Sequence, residues 1–135
     1  MGNSIRDIHA DDFQNVVSEL LVRNRSILDI LSKVQTSTGR VNRAVVKAVT
    51  HCGCIGIDGK KQSFPEEASV EELSRLLSSQ LKGKLCAECR STVEDELGGA
   101  LFYLASLCNA LDISLYDVIL KEKERLSTLG DYSFR

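Results

Sequence analysis

Long hydrophobic runs are missing from this chain of 135 residues. Its longest helical apolar stretch, Ala100 to Leu111, is interrupted by Ser106 and Asn109. It falls far short of the ~20 residues that cross a bilayer, so no membrane partner is expected. An excess of positive charge is also lacking: 17 Lys and Arg oppose 19 Asp and Glu, for a net charge of -2. Phosphate-backbone binding rests on clustered cations that release counterions, so nucleic acid is not an expected partner. Five cysteines are too few for a small secreted disulfide scaffold. No apolar h-region follows Met1-Gly2-Asn3-Ser4-Ile5-Arg6-Asp7, and a cytoplasmic location is the expectation. Lipidation at Gly2 is discarded because the myristoylation pattern wants Ser or Thr where Arg6 stands. Proline occurs once, at Pro65, and the chain has no internal repeat, no low-complexity tract and no convincing alternating strand pattern. With 43% hydrophobic and 27% charged residues, what remains is a single helical domain over 1–135 with a real core.

Helical periodicity supplies the elements. Phe13, Val16, Val17, Leu20, Leu21, Ile27, Leu28, Leu31 and Val34 recur at three- and four-residue steps, with Asp11 or Asp12 suited to cap the start. Gln35 to Gly39 is a polar break, after which Val41, Ala44, Val45, Ala48 and Val49 resume one face. The expectation is a long or bent helical segment over 12–51. Gly53, Gly56, Gly59 and Pro65 punctuate a loop over 52–68, with room for a short strand at Ile55 to Asp58. Ser69-Val70-Glu71-Glu72 matches a capping box and opens a short helix over 69–81, which Gly83 suits as a left-handed terminator. The main helix spans 87–111, on the stripe Val93, Leu97, Ala100, Leu101, Leu104, Leu107, Cys108 and Leu111. A final helix spans 114–129, stopped by Gly130. The class is all-α, an antiparallel helical bundle with a cysteine-containing loop.

The cysteines are placed in pairs. Cys52-Gly53-Cys54 lies in the glycine-rich loop, and Cys86-Ala87-Glu88-Cys89 stands at the start of the main helix. Zinc takes four tetrahedral thiolate or imidazole ligands, and a helix N-terminus favours the anionic form of thiols placed there. The expected centre is a structural zinc on Cys52, Cys54, Cys86 and Cys89. With every coordination position filled by thiolate it activates no water, and its work is to pin the loop to the helix. An iron–sulfur cluster accepts the same four thiolates, and spacing does not separate the two. A redox arrangement and independent packing thiols are the other readings of these residues. His51 is an alternative ligand, though a histidine at a helix end more often caps carbonyls. Cys108, on an apolar stripe, reads as core.

The main helix also carries Glu94-Asp95-Glu96-Leu97-Gly98-Gly99 and then Leu101-Phe102-Tyr103-Leu104, followed by Asn109-Ala110-Leu111-Asp112-Ile113. This resembles the second motif of the MazG-like nucleotide pyrophosphohydrolases, over roughly residues 90–128. The resemblance implies an all-α fold that associates through its helices. It also implies magnesium-dependent cleavage of nucleoside triphosphates by carboxylates gathered from two helices. Gly99 stands where the family motif ends in aspartate. The region expected to hold the first, acidic motif, Gly39 to Thr50, contains Arg40, Arg43 and Lys47 and no acid.

A degenerate, MazG-like member is therefore expected: its magnesium site lost, its basic helix pairing with Glu94, Asp95 and Glu96, and its role that of a binding or regulatory module. A homodimer or another helical partner is expected, with nucleotide as a further candidate ligand. Two alternatives differ in class. One is an active pyrophosphohydrolase with a rearranged site, using magnesium on Glu88, Glu96 and acids such as Glu19 or Asp29. The other is a thiol-based redox switch. Gly98-Gly99 inside a helix costs on the order of 1 kcal/mol per residue, which a close-packed helix would offset.

Overall fold

A computed structural model describes residues 2–21 and 26–129. It is mostly helical. Helices α1 (Gly2–Leu20) and α2 (Ile27–Lys47) are followed by a π-helical turn at Ala48–Cys52, strand β1 (Ile55–Ile57), helix α3 (Val70–Leu76), strand β2 (Leu81–Gly83), and helices α4 (Ala87–Ala110) and α5 (Leu115–Leu129). The two short strands pair antiparallel, with Ile55 opposite Gly83, Gly56 opposite Lys82 and Ile57 opposite Leu81. No single helix among the described residues is long and apolar enough to cross a membrane. The chain divides into two compact units, one of residues 1–41 and 95–135 and the other of residues 42–94.

Within the first unit, the helical segment expected from residue 12 begins at Gly2, so Asp11 and Asp12 lie inside α1 and cap nothing. No proline or second glycine stands in this stretch to stop the helix. Helix α1 ends at Leu20 and α2 starts at Ile27, residues 22–25 lie outside the described residues, and Gln35 to Gly39 does not break α2. Ser26 starts α2, its hydroxyl accepting from Leu28 N–H at 3.3 Å and its carbonyl from Ile30 N–H at 2.9 Å. The polar tract stays helical because its hydroxyls bond back to the preceding turn: Thr36 to the Ser32 carbonyl at 2.9 Å, Ser37 to Val34 at 3.0 Å and Thr38 to Gln35 at 2.9 Å. Gly130, the expected stop of the last helix, lies outside the described residues.

The core of this unit is small-grained. Val17 of α1, Ile30 and Ser37 of α2, and Ala100, Ala105 and Ser106 of α4 are buried. Ser106 is satisfied by donating to the Phe102 carbonyl at 2.8 Å. Most leucines of the expected stripe on α4 face outward, with Leu97 47% and Leu101 52% exposed, while Leu107 is half-buried. Because α4 is apolar around much of its circumference, periodicity does not decide which side is inward. The narrow side carrying Ala and Ser is the one that packs. Gly98 and Gly99 have nothing within 4 Å of where a Cβ would sit, so among the described residues no helix of the same chain packs closely against them. At the α4–α5 turn, Asp112 adopts φ 55, Ile113 N–H bonds the Cys108 carbonyl at 2.8 Å, and the Ser114 hydroxyl caps α5 through Asp117 N–H at 3.2 Å.

Within the second unit, α3 starts on the expected capping box: Ser69 Oγ accepts from Glu72 N–H at 3.2 Å while Glu72 accepts from Ser69 N–H at 3.4 Å. It ends at Leu76 and not at residue 81. Leu77 turns extended, Ser78 N–H is taken by the Gln62 side chain at 2.8 Å, and the hydroxyls of Ser78 and Ser79 capture Gln80 and Leu81 N–H at 3.0 and 3.3 Å. These side chains offer the backbone an alternative to continuing the helix, and Leu81 to Gly83 is left free to pair with β1.

Candidate metal centre

Each cysteine is placed by a different local device, all within residues 42–94. The π-helical turn closes α2 with Gly53 N–H on the Ala48 carbonyl at 2.8 Å, and Gly53 holds φ 81, a left-handed cap. This reverses the chain between Cys52 and Cys54, so that Cys54 Sγ comes back to 3.9 Å from the Ala48 carbonyl. Strand β1 begins one residue later, and its pairing with Gly83 draws the approach to Cys86 alongside Cys54. Gly83 holds φ 78, and a Cβ there would lie 2.5 Å from the Cys54 carbonyl oxygen, so only glycine fits.

Cys86 is the N-cap of α4. Its carbonyl accepts from Arg90 N–H at 2.9 Å and its Sγ accepts from Cys89 N–H at 3.4 Å, the third residue of the helix. That amide, helped by the Cys89 thiol, pulls the Cys86 thiol down to about 7, so much of it is thiolate at neutral pH. Cys89 is pushed well above the ordinary thiol range, chiefly because its thiol donates to the Cys86 sulfur. The cluster therefore favours shared protons and negative charge concentrated on Cys86.

The four sulfurs lie within 4.8 Å of one another, close enough to hold one metal ion. Cys52 and Cys86, 34 positions apart in the chain, have their sulfurs 3.8 Å apart. Among the described residues no other group of three or more His, Cys, Asp or Glu side chains gathers this closely. His51 lies outside the set. It lines, with Lys47, Cys52, Glu88, Cys89 and Thr92, an open cleft of about 490 Å³ beside the sulfurs. Cys108 also lies outside the set, half-buried on α4, and burial raises its thiol. Ion pairs among the described residues include Asp58 with Lys60 and Lys82, and Glu122 with Arg125; within 42–94 the expected pairing of Glu94 with Arg43 or Lys47 is not formed.

Sequence reasoning finds the cysteines and the left-handed φ of Gly83, but reads that glycine as the end of a helix and misses its contact with Cys54, which sets the loop against the approach to Cys86. Comparison with known proteins finds no matching family model, no matching curated protein and no matching solved structure.

Proposed function

We propose that Cys52, Cys54, Cys86 and Cys89 hold one structural zinc ion, and that the chain is a MazG-like helical protein without its catalytic acids, acting as a binding or regulatory module. The observation that carries the zinc reading is the convergence of four sulfurs from two distant segments within 4.8 Å. A tetrahedral site with Zn–S near 2.3 Å has sulfur–sulfur edges of about 3.8 Å. The Cys52–Cys86 separation is 3.8 Å, so the remaining sulfurs need only small adjustments. The need for such a staple is also physical. Within 42–94 only Ala48 and Ile55 are buried apolar side chains among the described residues, too thin a core to hold two short strands and a glycine-rich loop.

The loss of hydrolase chemistry rests on composition. Gly39 to Thr50 offers Arg40, Arg43 and Lys47 in place of acids, and Gly99 replaces the aspartate one turn along from Glu96. The family likeness is supported by α4, which carries Asp95 to Gly98 and Leu101 to Leu104 on one unbroken helix, followed after a tight turn by α5. A homodimer is the second part of the proposal. Phe13, Val16 and Leu20 of α1, Leu28 and Leu31 of α2, and Leu97 and Leu101 of α4 are all exposed, apolar side chains that a second copy would cover.

Elemental analysis tests the centre. One zinc per chain is expected in protein prepared with zinc and reductant, falling to a small fraction in Cys86→Ser. A metal-free wild type, or iron with acid-labile sulfide, overturns it. Sedimentation at micromolar concentration should give twice the chain mass, and a monomer refutes the dimer. A screen of nucleoside triphosphates with magnesium should yield no pyrophosphate; robust release from any of them restores the enzyme reading.

A further inference from the structure

We infer that Cys52 is an oxidation site at which a peroxide opens the metal centre, closing a Cys52–Cys86 disulfide and expelling the ion. The inference rests on the zinc reading above and adds a regulation to that site. Its basis is an asymmetry among the four sulfur ligands. Cys52 is exposed, whereas Cys54, Cys86 and Cys89 are half-buried. Cys52 borders the cleft of about 490 Å³ together with the half-buried Cys89, and the opening, walled also by Ala44, Lys47, Ala48 and His51, admits a small oxidant to the face of the centre on which Cys52 is exposed.

The partner for the second step is already in place. Cys86 Sγ lies 3.8 Å from Cys52 Sγ, and a disulfide needs about 2.05 Å, a closure of under two ångströms. Cys52 is the last residue of the π-helical turn and is followed by Gly53, whose surroundings are open, so the backbone can supply the movement. Cys86 is tied to the N-terminus of α4 and is the fixed member.

The chemistry balances with a peroxide as oxidant. In the zinc-loaded centre all four cysteines are thiolates, and that of Cys52, the exposed one, attacks one peroxide oxygen; an S–O bond forms, the O–O bond breaks, and hydroxide leaves and is protonated to water. The Cys86 thiolate then attacks the Cys52 sulfur; an S–S bond forms, the S–O bond breaks, and the second hydroxide takes a proton from solvent. Two sulfurs together lose two electrons, and the peroxide is reduced to two waters. Zinc, left with two thiolates, dissociates as the divalent ion, and β1 and the N-terminus of α4 lose their shared anchor.

The test uses the full chain, loaded with zinc and freed of reductant. Metal content is measured first, then hydrogen peroxide is added, zinc release is followed with a chromogenic chelator, and alkylated samples are mapped by mass spectrometry. The expected result is one zinc released per chain, a Cys52–Cys86 crosslink as the first product, and reversal by dithiothreitol with added zinc. Cys52→Ser should release zinc at least about tenfold more slowly. Protein that holds no zinc at the outset removes the metal reading and this inference together. Protein that holds zinc but forms its first crosslink without Cys52, or keeps its zinc under peroxide, removes this inference alone. If Cys52→Ser does not load metal, the order of products in the wild-type map decides.

Discussion

Two glycines flank the sulfur cluster and both are left-handed, yet their replacement should have unequal effects. Gly53 has φ 81 and open space where a side chain would go. Gly53→Ala therefore costs only the conformational penalty, about 1–2 kcal/mol. Gly83 has φ 78 and the Cys54 carbonyl oxygen 2.5 Å from the site of a Cβ. Gly83→Ala adds a backbone collision to the same penalty, and its loss should exceed roughly 3 kcal/mol unless β2 separates from β1. Urea unfolding of the two variants checks the order, and metal content should fall for Gly83→Ala but not for Gly53→Ala. Equal losses would mean that the Gly83 contact with Cys54 has no part in building the site.

Among the elements, α1 is tied to the α4–α5 turn by one side chain. Gln14 Nε2 donates to the Ile113 carbonyl at 2.7 Å, its Oε1 accepts from Leu115 N–H at 2.9 Å, and its own carbonyl accepts from the Asn109 side chain at 3.0 Å. Gln14→Ala leaves two backbone groups without their partner and should cost about 1–3 kcal/mol. Gln14→Glu keeps the acceptor and should cost less than Gln14→Ala in the same denaturation experiment. The pattern of apolar residues makes α4 and α5 legible to within a residue, because turn chemistry at Asp112 to Ser114 coincides with the end of the stripe. It does not reveal that α1 ends at Leu20, since Gln35 to Gly39 looks more polar while its hydroxyls are absorbed by the helix. Strand β2 is equally hidden. Leu81 to Gly83 has no strand pattern of its own and exists because β1 offers it a partner. The cysteine cluster is legible because paired cysteines are a chemical signature, whereas the inward side of α4 is not, since Leu and Ala both satisfy the apolar stripe.

At the scale of the whole chain, the two compact units draw on different sources of stability. Residues 1–41 and 95–135 bury Val17, Ile30, Ala100 and Ala105, whereas 42–94 buries only Ala48 and Ile55 among its described apolar residues. If the four cysteines carry zinc, the binding free energy of the ion is folding free energy for the second unit, of order 10 kcal/mol for a thiolate site at neutral pH. Chelation under reducing conditions should then open that unit alone. Amides bonded across β1 and β2, with Gly53 and Arg90 at the cluster's edges, should exchange with deuterium at least about 100-fold faster after chelation. Amides near Ile30 and Ala105 should change by less than about threefold, because their protection comes from apolar burial that the chelator does not touch. The ends of α2 and α4 that belong to 42–94 should fray with the cluster, so that protection falls along each helix toward the cysteines. Uniform acceleration through Ile30 and Ala105 would show that one cooperative core spans the chain and that the cysteine cluster stabilises all of it. Unchanged exchange around Ile55 would show that the strands and the left-handed glycines hold the loop without a metal.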